Sequence, residues 1–185
     1  MEKFSLLPYS WFTRDAIKVA RDLLGKKIVY KNYSGIIVET EAYTEDEASH
    51  GHKITPRSEI MLTTYGHIYV YFIYGMYHCL NITTNKDSCG AVLIRAVEPL
   101  SGIQEMKKNR HTENLHNLTS GPGKLCEAFE IGKKLNGTKV NEKIFLYDDR
   151  RILSENIGVS ERIGIEKAKH LPWRFFIRGN KFLSR

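Results

Sequence analysis

The segment His67-Ile68-Tyr69-Val70-Tyr71-Phe72-Ile73-Tyr74 is aromatic or β-branched at nearly every position. Such side chains lose rotamer freedom in a helix and pack well on a pleated surface, so residues 67–74 predict a strand. Gly75 follows, and a glycine there marks a bend or an end. Four Tyr and one Phe fall between Tyr69 and Tyr77. Two readings fit. The rings pack both faces of a core strand, or Tyr74 projects from the turn and can act as a wedge between stacked base pairs.

Further strands are expected at 27–31 and 35–43, around an Asn32-Tyr33-Ser34-Gly35 turn, and at 90–97, 143–147, 162–166 and 173–178. Thr13 is placed to cap a helix whose apolar residues Ala16, Val19, Ala20, Leu23 and Leu24 follow helical spacing, with Gly25 stopping it. Residues 102–109 predict a second helix. Ser120-Gly121-Pro122-Gly123-Lys124-Leu125 reads as the start of a third, with Ser120 as cap and Pro122 in the first turn. Helices outside a mostly antiparallel run of strands imply an α+β fold. With 185 residues and no repeat or linker, one domain over 1–185 is expected. The 42% hydrophobic content suffices for a core without disulfides or a structural metal.

Charge narrows the function classes. Lys and Arg outnumber Asp and Glu 28 to 21, giving +7, which favours polyanionic partners. The stretch Glu161–Arg185 holds seven Lys or Arg and two Glu, whereas Glu39–Glu47 holds five acids and no base. An acidic segment does not help to grip phosphates, so the pattern suggests a grip and a separate chemical site. Cys79, Cys89 and Cys126 are odd in number and form no C-x-x-C pair, so free thiols are expected. His50-x-His52 has the look of a metal pair, but no further ligand set accompanies it, and no metal is expected. Neither a signal pattern at Met1–Ser5 nor a run of about 18 apolar residues is present. The expectation is a cytoplasmic protein, at the nucleoid if the source is bacterial, with no membrane association.

In an alternating strand Glu39, Glu41 and Tyr43 share one face. Two carboxylates so placed form a solvated strand edge or belong to a site. Arg95 stands in the otherwise apolar Ala91-Val92-Leu93-Ile94-Arg95-Ala96-Val97. It marks the strand's edge or is held by a partner such as Glu41, because an unpaired buried guanidinium is very costly. Ser120–Lys124 lacks the spacing of a triphosphate loop, although its helix start could meet one backbone phosphate.

Several strings together resemble the alkyladenine (3-methyladenine) DNA glycosylase family. They are Ile37-Val38-Glu39-Thr40-Glu41-Ala42-Tyr43, Asp46-Glu47-Ala48-Ser49-His50, Tyr69 to Tyr77, Leu93-Ile94-Arg95-Ala96-Val97-Glu98-Pro99, Arg162-Ile163-Gly164-Ile165 and Trp173 to Gly179. They run in order over almost the whole chain, and the chain is similar to the compact bacterial form, without the long N-terminal extension of mammalian members. The resemblance implies a curved, mostly antiparallel sheet like that of the C-terminal domain of methionyl-tRNA formyltransferase.

It further implies a monofunctional repair glycosylase that flips an alkylated or deaminated purine from duplex DNA and leaves an abasic site. Glu41 would be the general base, with Arg95 and the main chain near Ile163 helping to hold its water. Tyr43, His50 and Tyr71 would wall the base pocket, and Asn81 would exclude the guanine amino group. Tyr74 would be the wedge, with Met76 and Leu93 beside it. Lys124, Arg174 and Arg178 would contact phosphates. The expected protein is a monomer whose partner is double-stranded DNA with damaged purines and which needs no cofactor. Two other classes compete: a non-catalytic nucleic-acid-binding module of the same shape, and a glycosidase for free sugars, in which Glu39 would be the second working carboxylate.

Overall fold

A computed structural model describes residues 5–184. Arg185 of the basic tail, and the first four residues of the segment read for a signal pattern, lie outside this range. The elements in chain order are β1 (Ser5–Leu6), α1 (Ala16–Asp22), β2 (Lys27–Tyr30), β3 (Tyr33–Tyr43), α2 (Ile60–Thr63), β4 (Ile68–Ile73), β5 (Tyr77–Thr83), β6 (Ala91–Ser101), α3 (Ile103–Arg110), α4 (Pro122–Ala128), β7 (Ile144–Asp148), β8 (Ile157–Ser160) and β9 (Arg174–Ile177). Short 3-10 turns join several of them.

All strand pairings among the described residues are antiparallel, in the order β1-β7-β2-β3-β6-β5-β4. The 11-residue strand β3 organises the rest. One of its edges runs along β6, from Ser34 opposite Ser101 to Tyr43 opposite Ala91. The other edge is shared: β2 pairs with its first half, Tyr33 to Ile36, and β9 with Glu39 to Glu41. The β3–β6 register shifts between Ile37 and Thr40, where the partner on the other edge changes. Such irregularities bend and twist a strand locally and re-aim its side chains. Here they fall at the start of the Glu39-Thr40-Glu41 run.

Helix α1 lies against β3. Its Ala16, Val19 and Ala20 are buried, and the Thr40 hydroxyl donates to the Ala20 carbonyl at 2.7 Å. The main core gathers around Phe12, Leu23, Ile28, Ile37, Ile94 and Phe129, all fully buried. Helix α4 inserts Leu125, Cys126 and Ala128 into the same core. The three cysteines are buried free thiols.

Several expectations need correction. Asp15, not Thr13, caps α1, accepting from the amides of Ile17 and Lys18, whereas the Thr13 hydroxyl donates back to the Ser10 carbonyl. Gly121, not Ser120, precedes α4, because Ser120 is spent on an extended bridge to Ala96. The turn between β2 and β3 is the tighter Lys31-Asn32. Residues 162–166 form no strand. Their alternation reads like one, but the strand there is β8, which pairs with β9. Strand β5 was not expected: the aromatic run folds back on itself, with Tyr69 opposite Asn81 and Ile73 opposite Tyr77. The Met76 amide donates to the Ile73 carbonyl at 3.2 Å across Tyr74 and Gly75. Both have positive φ, 54° and 66°, a region glycine adopts freely and tyrosine only at a cost.

Candidate active site

Strands β3, β4, β5 and β6 and the loop after β8 enclose a cavity of about 710 Å3. Tyr43, His50 and Tyr71 are among its walls, Arg95 and Leu93 reach it from β6, and Ile163 borders it from the loop. Residues distant in the chain thus meet at one opening, as the sequence suggested for most of them.

Glu39 and Glu41 do not form a solvated edge. Both are 0% exposed. Arg95, 7% exposed at its side chain, lies between them: its Nε donates to Glu39 Oε1 at 3.0 Å and its Nη1 to Glu41 Oε2 at 3.2 Å. The second alternative for Arg95, a charge held by a partner, is therefore the observed one. Burial works against its charge, but the Glu41 and Glu39 carboxylates outweigh that and raise its pKa.

The two carboxylates have different donor sets. Glu39 accepts from Arg95 Nε, Arg174 Nε (2.7 Å), the Ser184 hydroxyl (2.6 Å) and the Ser184 amide (2.6 Å). Glu41 accepts from Arg95, the Tyr43 hydroxyl (2.9 Å) and the Ile163 amide (2.7 Å). An ionised carboxylate has about four acceptor positions. Among the described residues, Glu39 meets four donors and Glu41 three. All three donors to Glu41 border the cavity, so the carboxylate lies directly behind its wall. Burial, and then the Glu41 charge, push the Tyr43 hydroxyl well above its usual pKa, so it remains a donor.

The pocket walls are held from behind. His50 Nδ1 meets the Tyr69 hydroxyl at 2.8 Å, and the His50 ring packs edge-on against Tyr71 at 4.7 Å. Burial, then the Arg57 charge, lowers the His50 pKa below its ordinary 6.5, which favours the neutral ring. His52 instead meets the Glu45 carbonyl, so the two histidines do not converge. Asn81 is buried below Tyr43, His50 and Tyr71, and its Nδ2 donates to the Tyr69 and Cys79 carbonyls at 3.2 and 3.3 Å.

At the rim, Tyr74 is 75% and Met76 64% exposed on the tip of the β4–β5 hairpin. A core role for Tyr74 is excluded by that exposure. Leu93, expected beside them, is buried at 3%, opposite Glu41 on one strand and Asn81 on the other. It lines the cavity and has no free end to insert anywhere. Arg174, expected at phosphates, is committed inward to Glu39 and the Ser160 hydroxyl, with its guanidinium 4.6 Å over Phe176. Its reassignment follows from the buried charge of Glu39, which needs a partner. Lys124 borders the cavity with its ammonium 2.5 Å from Asn117 Oδ1, and Arg178 is exposed.

Sequence reasoning passed over Arg162 as a side chain. Its guanidinium grips both Asp46 oxygens (2.6 and 3.2 Å) and the Ala42 carbonyl (3.0 Å) and lies between the Tyr43 and Trp173 rings, at 4.6 and 5.1 Å. This clasp fixes the wall ring Tyr43 and, one residue on, the Ile163 amide that reaches Glu41. Burial pushes the Asp46 carboxyl up, but the Arg162 hydrogen bond and charge and the Thr44 and Ala48 amides hold it below its usual value. The signal was a basic residue next to Ile163 together with an acid inside the Glu39–Glu47 cluster. Arg57 was also unforeseen: it donates to the Phe72 carbonyl at 3.1 Å and lies 5.3 Å over Tyr71. Among the described residues, no three metal-ligating side chains cluster, and no helix is long and apolar enough to cross a membrane.

Comparison with known proteins adds an independent line. The sequence pattern of the family described as methylpurine-DNA glycosylase matches residues 10–181. Relatives named "Putative 3-methyladenine DNA glycosylase" occur in Prosthecochloris aestuarii (44% identical, covering 95% of this chain and 89% of the relative) and in Clostridium novyi (45%, covering 95% and 96%). Another, from Methanoculleus marisnigri, is 40% identical and covers 97% of this chain and 98% of the relative.

Proposed function

Because the chain belongs to the methylpurine-DNA glycosylase family, we propose that it hydrolyses the N-glycosidic bond of an alkylated or deaminated purine flipped out of duplex DNA, with Glu41 as the base. The observation that carries this reading is the position of Glu41, whose three donors all border the cavity. A fully buried carboxylate, held by three donors at the cavity wall, keeps one acceptor position for a water. Arg95 and the Ile163 amide fix the carboxylate in place, as a base requires. As the bond to the sugar breaks, positive charge develops there, and a nearby carboxylate stabilises it. Water attacks the sugar, its proton passes to Glu41, and the purine departs with the bonding pair. The product is an abasic site, and no cofactor enters the balance. With water rather than an amine as the nucleophile, the strand stays uncut.

The aromatic walls suit an extruded purine, since stacking contributes about 1–3 kcal/mol per base. An alkylated, cationic ring gains a further cation–π term. Asn81, held by two main-chain carbonyls, is a fixed polar group below the walls and is read as the discriminator against the guanine amino group. Tyr74 is read as the wedge that fills the gap in the duplex, flanked by Met76. Lys124 and Arg178 remain as candidate phosphate contacts on a chain read as a monomer. A binding-only module would have no use for two buried carboxylates and an arginine beside the cavity, because such a cluster opposes phosphate affinity. A free-sugar glycosidase needs a second working carboxylate, whereas Glu39 is tied to Arg95, Arg174 and Ser184 of the tail.

The test is incubation with a duplex carrying one alkylated or deaminated purine, scored for free base and an alkali-labile site. Glu41→Gln is expected to lower single-turnover excision at least about 1,000-fold, with binding to the damaged duplex changed less than about threefold. Excision by this variant at the normal rate would refute the reading.

A further inference from the structure

The second carboxylate of the pair has no task in the chemistry above, yet it is the more heavily bonded. Three of its four donor groups come from the last eleven described residues: Arg174 Nε and the amide and hydroxyl of Ser184. The Ser184 hydroxyl is central to this arrangement. It donates to Glu39 Oε1 at 2.6 Å and accepts from Arg95 Nε at 3.2 Å and Nη2 at 3.1 Å. Ser184 is 8% exposed and borders the cavity itself. Just before it, Phe182 packs onto Ile36, Val38 and Ala96, which seats the tail across β3 and β6.

We propose that the C-terminal tail is part of the active site and that Ser184 is a positioning residue, which orients Arg95 so that its Nη1 meets Glu41. The reasoning follows from the guanidinium's geometry. Its donors form a planar, rigid fork, so fixing Nε and Nη2 fixes the direction of Nη1. Glu39 holds Nε, and Ser184 holds Nε and Nη2. Without the hydroxyl, the fork keeps one anchor on Glu39 and can swing about it, and Nη1 loses its fixed aim at Glu41. Ser184 touches no reacting atom; it acts through Arg95. Glu39 is then the keel of the arrangement, a charge buried to hold Arg95 and the tail in one geometry.

This inference rests on Glu41 being the base, so the experiment reads both. Wild type, Glu41→Gln, Ser184→Ala, Ser184→Thr and a chain ended after Leu183 are assayed on one duplex containing a single damaged purine. For each, the single-turnover excision rate, the affinity for the damaged duplex and the thermal midpoint are measured. Ser184→Ala is expected to slow excision about tenfold or more with affinity within about threefold of wild type. Ser184→Thr, which keeps the hydroxyl, is expected within about threefold of the wild-type rate. The chain ended after Leu183 is expected to be at least as slow as Ser184→Ala. A Ser184→Ala rate within twofold of wild type, beside an inactive Glu41→Gln, would overturn the positioning role alone. So would a Ser184→Thr chain as slow as Ser184→Ala, or loss of rate and affinity in equal measure. An active Glu41→Gln would overturn the assignment of the base instead. Should Ser184→Ala not fold, the threonine and shortened chains decide the matter by the same limits.

Discussion

Replacing Arg95 with Met keeps most of the stem volume and removes, among the described residues, the one side chain that bonds to both buried carboxylates. Each lost ion pair is close: at 3.2 Å and an effective dielectric near 20, a unit pair is worth roughly 5 kcal/mol before desolvation is counted. The net cost is smaller, because the variant no longer buries the guanidinium and because other donors stay. Glu39 keeps Arg174 and Ser184, and Glu41 keeps Tyr43 and Ile163. Stranding a buried charge typically costs about 3–5 kcal/mol. That is a large share of the ~5–15 kcal/mol by which a domain is stable. At about 2–4 °C per kcal/mol for a chain of this size, the thermal midpoint should fall by about 6–20 °C. Urea unfolding at pH 7.5 should show the same loss as a lower midpoint with an unchanged slope. Combining Arg95→Met with Glu39→Gln should recover part of the loss, the sign expected of coupled sites. A fall in stability below about 1 kcal/mol at pH 7.5 would show that Arg95 is not what neutralises this pair.

Tyr74 should behave differently. At 75% exposure and φ 54°, it is strained and unburied, so Tyr74→Asn should unfold no earlier than wild type in a thermal melt. Tyr74→Ser should slow excision from a paired duplex more than from a single strand carrying the same lesion, as single-turnover rates on both substrates will tell. Asp46 has a depressed pKa in the folded protein, so its contribution to stability is full above the ordinary aspartate value of 3.8 and is lost as pH falls through the lower folded value. Asp46→Asn should therefore be less stable than wild type at pH 7, with the difference closing below about pH 4 in a pH series of urea melts.

What the sequence disclosed depended on how local the signal was. Arg95 stood out as one guanidinium inside an apolar run, whereas the pair Glu39 and Glu41 read equally as a solvated edge until burial decided it, and Glu41 was singled out by the resemblance alone. For Tyr74, Gly75 beside it left a core ring and a projecting ring both open, and the 75% exposure decides for the projecting one. The hairpin partner β5 was missed because one Gly does not show whether a strand stops or reverses. The misplacement of the strand expected at 162–166 had a similar cause, since Ile163-Gly164-Ile165 alternates but the main chain there is turned toward Glu41. Arg174 was misread because a basic tail looks like a phosphate grip, while its true partner lies 135 positions earlier. Arg162 and Ser184 act over 116 and 145 positions, distances at which no periodicity carries information.

Two carboxylates on one face of one strand, two residues apart, have different surroundings, and the proposed mechanism gives them opposite tasks. Their side chains are chemically the same, both are fully buried, and both touch the same arginine. The difference is where the other donors come from. Those of Glu39 arrive from β9 and from a tail that closes over it, which suits a charge that must stay still. Those of Glu41 come from the cavity wall, which suits the proposed task of taking a proton from something entering there. Exchanging the two roles would require moving the tail, not changing the strand. Glu39→Gln should accordingly weaken the tail and the aim of Arg95 while leaving the base in place, so residual excision should survive in Glu39→Gln where Glu41→Gln has none.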